Sequence, residues 1–194
     1  VTVMGAGSWG TTFAKILADA GNEVTLWARR EDVVEEINEE HRNGDYLPGI
    51  DLPSNLCATS DVAVALAGAE QIYIAIPSQS LRASLTEWAP MIDPQAILVS
   101  LMKGVEKESG LRMSEIIASV ANIDSDRIAV ISGPNLALEI AAGQPTASVA
   151  ASSNKETAAK VAAAATNDYF TTFTNKDVIG TEFGGILKNL IAVA

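Results

Sequence analysis

Residues 5–10 restrict the fold more than any other stretch. Gly5-Ala6-Gly7-Ser8-Trp9-Gly10 follows the strand-like run Val1-Thr2-Val3-Met4 and opens a helical pattern over 11–20. Glycines at that spacing between a strand and a helix form a dinucleotide-binding fingerprint: Gly5 serves the tight turn, Gly7 admits a pyrophosphate to the backbone amides, and Gly10 lets the helix pack close on the strand. The alternative is a glycine turn without a ligand. The helix N-terminus adds N–H groups and partial positive charge. That local grip matters because 13 Lys+Arg face 24 Asp+Glu, a formal net charge of −11. The summed field repels nucleic acid and anionic lipid, so neither is expected as a partner.

The rest of the chain alternates short apolar runs with longer amphipathic ones. Strands are predicted over 1–4, 23–28, 56–59, 71–76, 96–101, 127–132, 146–150 and 169–173. Helices are predicted over 11–20, 31–40, 61–67, 80–88, 111–120, 136–142, 155–165 and from 178 onward. Repeated strand-helix-strand units imply an α/β fold, a Rossmann-like doubly wound, largely parallel sheet with helices on both faces. The loop over 43–55, with Gly44, Pro48, Gly49 and Pro53, is the one long connection, and such loops are often functional. No linker interrupts 1–175. We therefore expect a dinucleotide-binding domain over 1–176, with 177–194 opening a second domain.

Composition excludes several chemistries. At 194 residues and 48% hydrophobic content, one to two domains with a real core are expected, and 14 Gly and 7 Pro fit neither disorder nor collagen. A single Cys, Cys57, and a single His, His41, leave no basis for a disulfide framework, a structural zinc site or a Ser-His-Asp triad, so no metal is expected. No run approaches the roughly 18 apolar residues of a membrane span, and no basic segment precedes the first strand. No membrane insertion and a cytoplasmic location follow as expectations. The absent initiator Met and the ending Leu190-Ile191-Ala192-Val193-Ala194, which stops in mid-pattern, suggest that the natural chain continues at both ends.

Four features carry candidate chemistry. NAD sites usually place an acid at the end of the second strand to hold the ribose 2′-hydroxyl. Here Trp27-Ala28-Arg29-Arg30 ends that strand, and two guanidiniums favour the 2′-phosphate of NADP(H), unless they pair with Glu31, Asp32 or Glu35. Pro77 ends the fourth strand where ligands bind in open α/β sheets, and the same turn can be read as a helix start capped by Ser78 or Ser80. Lys103-Gly104 presents an ammonium at the next carboxyl edge, and Ser132-Gly133-Pro134-Asn135 reads as an N-cap and helix start or a second anion nest. In the last helix Ile179, Phe183, Ile186, Leu187, Leu190 and Ile191 form one apolar stripe, with Lys188 off it and Gly184-Gly185 one turn before. Each helical glycine costs about 1 kcal/mol relative to alanine, which suggests that something approaches the backbone beside Lys188.

Together, Gly5-Ala6-Gly7-Ser8-Trp9-Gly10, Lys103-Gly104, Ser132-Gly133-Pro134-Asn135-Leu136-Ala137 and Gly185-Ile186-Leu187-Lys188-Asn189 resemble the bacterial type of NAD(P)-dependent glycerol-3-phosphate dehydrogenases. The blocks occur in that family's order. The resemblance implies reversible reduction of dihydroxyacetone phosphate to glycerol 3-phosphate with NADH or NADPH, supplying phospholipid synthesis. It implies cofactor contacts from Ser8, Trp9, Arg29, Arg30, Lys103 and Ala137, and substrate contacts from Lys103, Gly133, Asn135, Lys188 and Asn189. Lys188 would be the proton donor and acceptor, with Lys103 beside it. It also implies an all-helical C-terminal domain, truncated here, that completes the substrate site and a homodimer. The family commonly carries a small hydroxyl residue and then an aromatic after Gly-Pro, where this chain has Asn135-Leu136. Two further readings keep the glycine turn: a related hydroxyacid, ketopantoate or sugar-acid reductase, and a non-catalytic NADP(H) sensor.

Overall fold

Successive residues of the central strands point into different helical layers, as the period of two along a strand requires. Val3, Tyr73 and Val99 pack with Phe13, Leu17 and Phe170 on one face, whereas Met4, Ile74 and Leu98 pack with Leu85 and Ile116 on the other. A sheet covered on both faces needs nearly continuous apolar strands, which is how these runs read. Each of these large side chains contributes about 1.5–3 kcal/mol by its burial.

The computed structural model describes the backbone of residues 1–193 and the side chains of residues 1–188. The strands are β1 Thr2–Met4, β2 Val24–Trp27, β3 Leu56–Thr59, β4 Gln71–Ile74, β5 Ile97–Ser100, β6 Ile128–Ser132, β7 Thr146–Ala151 and β8 Phe170–Asn175. The helices are α1 Ser8–Asp19, α2 Glu31–Glu40, α3 Val62–Leu66, α4 Leu81–Trp88, α5 Met113–Ala121, α6 Ala137–Ala141, α7 Lys155–Ala165 and α8 Val178–Val193. They build one eight-stranded sheet in the order β3-β2-β1-β4-β5-β6-β7-β8. Every pairing is parallel except β6 with β7, so the expected Rossmann-like α/β fold is present. The order reverses beside β1, where Met4 pairs with Trp27 of β2 on one side and Ile74 of β4 on the other. Helices leave that point in opposite directions and open a crevice outside the strand ends. Among the described residues no helix is long and apolar enough to cross a membrane.

Two local expectations need correction. α6 starts at Ala137 after an extended Leu136, so Ser132 is not its cap and Pro134 is not in its first turn. Ser132 stays in β6 because its residue pairs with Val149 across the antiparallel ladder. After β4 the chain makes a single 3₁₀ turn over Ser78–Ser80, and neither serine caps through its hydroxyl. The apolar stripe read in the sequence of α8 lies largely at the surface among the described residues. Ile179, Phe183 and Leu187 are 55%, 41% and 46% exposed, whereas Glu182 and Gly185 are buried. The side chains of Leu190 and Ile191 lie outside the described residues. α8 packs on β6 and β7 through a polar and glycine face because that face has specific partners.

Candidate active site

The crevice beside β1 is a cleft of about 700 Å³, within the usual range for small-molecule sites. The glycines act as their spacing predicts. Gly5 has φ +122°, and a Cβ there would lie 2.7 Å from the Ala75 carbonyl oxygen. A Cβ on Gly10 would lie 1.8 Å from the Gly5 carbonyl oxygen, so only glycine lets α1 start this close to β1. A Cβ on Gly7 would meet nothing within 4 Å, which leaves open space over the first turn of α1. That turn has no side-chain cap and no acidic residue, whereas Asp61 caps α3 and Asn154 caps α7. Uncapped N–H groups facing an open cleft fit a pyrophosphate.

All of the predicted cofactor residues reach this cleft. Gly5, Gly7, Ser8, Trp9, Gly10, Arg29, Arg30, Pro77, Lys103 and Ala137 all line it. Asn135, predicted to contact substrate, lines the same cleft. Two residues of the long loop were not singled out from the sequence. Asn43 is fully buried and donates to the Ala6 carbonyl at 3.0 Å and the Thr11 hydroxyl at 2.8 Å, which ties the loop to the glycine turn. Tyr46 lines the cleft near Arg30. The only signal for either was the unusual length of that loop.

The two arginines differ. Arg30 Nε donates to Asp32 Oδ1 at 3.0 Å, its Nη2 donates to the second oxygen of Asp32, and its Nη1 donates to Asp45 Oδ2 at 2.8 Å. The hydrogen bonds to Asp32 and then Asp45 raise the guanidinium above its already high ordinary value. Of the partners foreseen for it only Asp32 is used, and Asp45 comes from the distant loop. Arg29 makes no ion pair among the described residues.

Lys103 follows β5 and is half-buried, and its Nζ donates to the Gly133 carbonyl at 3.1 Å. Burial, and then the charge of Lys188, hold its ammonium below the ordinary lysine value. Gly104 has φ +148°, and a Cβ there would lie 2.9 Å from the Ser78 hydroxyl, so this turn also requires glycine. Beyond it, Arg82 of α4 grips Glu106 through Nε and Nη2 at 2.9 and 2.8 Å, and Gln79 Nε2 donates to the Val105 carbonyl at 2.8 Å. Arg82, followed by Ser109, holds the Glu106 carboxyl down to about 2. A carboxyl depressed on folding stabilises the fold above its unfolded value and loses that contribution as pH falls towards its folded one. Wild type is therefore expected to unfold at a higher temperature than Glu106→Gln at pH 6, with the gap closing between about pH 4.5 and about pH 2. A gap that persists at the acid end in thermal melts would remove this clamp.

Lys188 lines an adjoining cavity of about 480 Å³ with Ser132, Gly133, Thr181 and Gly185. A Cβ on Gly185 would lie 2.4 Å from the Ser132 hydroxyl and 3.6 Å from Lys103 Cε, so Gly185 is the glycine that lets α8 approach the sheet. Gly184 faces open space and is not needed for that contact. Glu182 fastens the helix: it accepts from the Ser114 N–H at 3.0 Å, the Ser114 hydroxyl at 2.7 Å and Arg112 Nη1 at 2.5 Å. Asn135 Nδ2 donates to the Ser148 hydroxyl at 3.3 Å, while its buried Oδ1 has no partner and is aimed beside Gly133. Asn189 belongs to α8, and its side chain lies outside the described residues. Among the described residues, no three of His, Cys, Asp and Glu gather at one place.

Comparison with known proteins agrees with this geometry. A family model described as NAD-dependent glycerol-3-phosphate dehydrogenase N-terminus matches residues 1–158. A glycerol-3-phosphate dehydrogenase [NAD(P)+] from Leifsonia xyli is 60% identical over 99% of this chain and 52% of its own length. The crystal structure of a glycerol-3-phosphate dehydrogenase from Coxiella burnetii is 36% identical, with a TM-score of 0.91, over 99% of this chain and 58% of that one. The chain thus spans little more than half the length of these relatives. A ketopantoate reductase from Ralstonia eutropha, at 22% identity and a TM-score of 0.63, shares the fold alone. With its glycine cleft, both lysines and all four motif blocks in order, the chain belongs to the NAD-dependent glycerol-3-phosphate dehydrogenase N-terminal family.

Proposed function

We propose that the full-length protein interconverts dihydroxyacetone phosphate and sn-glycerol 3-phosphate, using NAD(H) or NADP(H), and so supplies glycerol 3-phosphate for phospholipid synthesis in the cytoplasm. The observation that carries this reading is the meeting of two cavities at one seam. Lys103 stands in the glycine cleft, Lys188 lines the adjoining cavity, and the Gly133 backbone is bonded to the first and borders the second.

A nicotinamide dinucleotide held at the glycine turn would supply the hydride that reduces the carbonyl carbon. Lys188 gives its proton to the oxygen that becomes the new hydroxyl and is reprotonated from water, so charge does not build up on the alkoxide. Lys103, bonded to Gly133, places a second positive charge at the seam, where it can hold both the cofactor and the substrate phosphate. A Cβ on Gly133 would lie 2.8 Å from Asn135 Oδ1, so the glycine lets that side chain sit against the seam, and the unpaired Oδ1 can accept from a substrate hydroxyl. Asn189 follows Lys188 directly and completes the set.

Residues 177–194 then open the substrate domain, and the exposed Ile179, Phe183 and Leu187 give a further helical layer a surface to cover. The relatives' greater length supports such a layer, through which a homodimer would form. Full-length protein mixed with NADPH or NADH and dihydroxyacetone phosphate is expected to oxidise the cofactor, read as loss of its near-ultraviolet absorbance. Cofactor binding without oxidation would favour the sensor reading instead.

A further inference from the structure

Asp45 is held in place from both sides. Asn43, two residues before it, is buried and bonded to the glycine turn, and Tyr46, directly after it, lines the cofactor cleft. Between them the Asp45 carboxylate reaches across to Arg30 Nη1, while Asp32 in the first turn of α2 takes Nε and Nη2. Three of the five N–H groups of Arg30 are thereby engaged, and two negative charges surround one positive charge. This lies at the end of β2, where the adenosine ribose of a dinucleotide rests in folds of this kind. Arg29 lines the same cleft with no carboxylate on it among the described residues.

We propose that Asp45, together with Asp32, is a cofactor-specificity element that occupies Arg30 and opposes a 2′-phosphate, leaving Arg29 to attract it. A 2′-phosphate dianion entering beside Arg29 meets net repulsion from the Arg30–Asp32–Asp45 cluster. An uncharged 2′-hydroxyl does not, and can donate to a carboxylate. The two arginines that argue for NADP(H) in the sequence thus become one receptor and one neutralised neighbour. Arg30 and Asp45 are 48% and 58% exposed, so the effect is screened and amounts to a bias rather than an exclusion.

The inference rests on the dehydrogenase reading only in needing a nicotinamide dinucleotide in the cleft. Its test is a binding measurement on the full-length protein, with Trp9 and Trp27 of the cleft as fluorescent reporters. Asp45→Asn keeps the shape and the acceptor oxygen and removes the charge. NADPH is expected to bind about three- to tenfold more tightly, a gain that shrinks as salt is added, while NADH changes by less than about twofold. Arg29→Ala is expected to weaken NADPH selectively. An unchanged NADPH/NADH ratio in Asp45→Asn overturns the proposal. That holds whether both affinities fall together, which would make Asp45 a loop anchor, or neither moves. If both cofactors bind and the ratio shifts, but dihydroxyacetone phosphate is not reduced, the dehydrogenase reading fails and the specificity element stands.

Discussion

Lys188→Ala in the full-length protein is expected to lower kcat about 10³-fold, roughly 4 kcal/mol of transition-state stabilisation, and to leave the Kd of NADH and NADPH within about twofold. The asymmetry follows from position. Lys188 lines the cavity beside the cofactor cleft rather than the cleft itself, so on the proposed reading its loss removes a proton donor and not a cofactor contact. Lys188→Arg separates the two roles of the ammonium. It keeps the positive charge, but a guanidinium does not release a proton at neutral pH, so an equally deep loss assigns proton transfer, whereas substantial recovery assigns charge alone. Steady-state kinetics with dihydroxyacetone phosphate, paired with cofactor titration, reads both. A kcat within tenfold of wild type for Lys188→Ala would remove this residue from the chemistry. Lys103 is held at lowered basicity by burial and by Lys188. Removing Lys188 should therefore also leave Lys103 more basic, which moves the pH dependence of substrate binding upward.

Glu182→Ala is expected to cost about 3–5 kcal/mol of stability, read as a lowered midpoint in chemical denaturation. Its carboxylate is buried, and it holds the Ser114 N–H and hydroxyl and one guanidinium nitrogen of Arg112, itself also bridged to Glu115 at 2.9 Å. Truncation removes the buried partner of Arg112, leaving it only the more exposed Glu115, and uncaps the first turn of α5 at the same time. Glu182→Gln keeps an acceptor for the Ser114 N–H and should lose clearly less. The consequence reaches function through α8, since Gly185 and Lys188 lie on the helix that this carboxylate fastens. A loss below about 1 kcal/mol for Glu182→Ala would mean that packing of Gly185 on Ser132 alone seats the helix.

Much of the fold is legible in the sequence. Helices over 31–40 and 155–165 and the strand over 56–59 match their observed bounds residue for residue, because their signals are local. Hydrophobic period, β-branched runs and a cap such as Asn154 act within one turn or one strand, and a sequence displays them directly. The glycine turn was equally legible, since Gly5 supplies a positive φ and a Cβ on Gly10 would meet the Gly5 carbonyl oxygen within the same turn. By contrast, the start of α6 was misread from Ser132 and Pro134, which have good helix-start chemistry. Cross-strand pairing of Ser132 with Val149 outweighed that local preference.

The same division runs through the site. Local pattern was enough to establish the strand-turn-helix unit, the alternation of the α/β chain and the placing of Lys103 and Pro77 at carboxyl edges of the sheet. It could not show that Asn43 ties a distant loop to Ala6, that Asp45 reaches Arg30 from fifteen residues away, or that Glu182 rather than the apolar stripe turns α8 inward. Those contacts join residues whose separation along the chain says nothing about their distance in space. Each forms only because two elements are first brought together by burial of the core. A buried polar group then takes whichever partner that packing delivers, since leaving it unpaired costs about 1–3 kcal/mol.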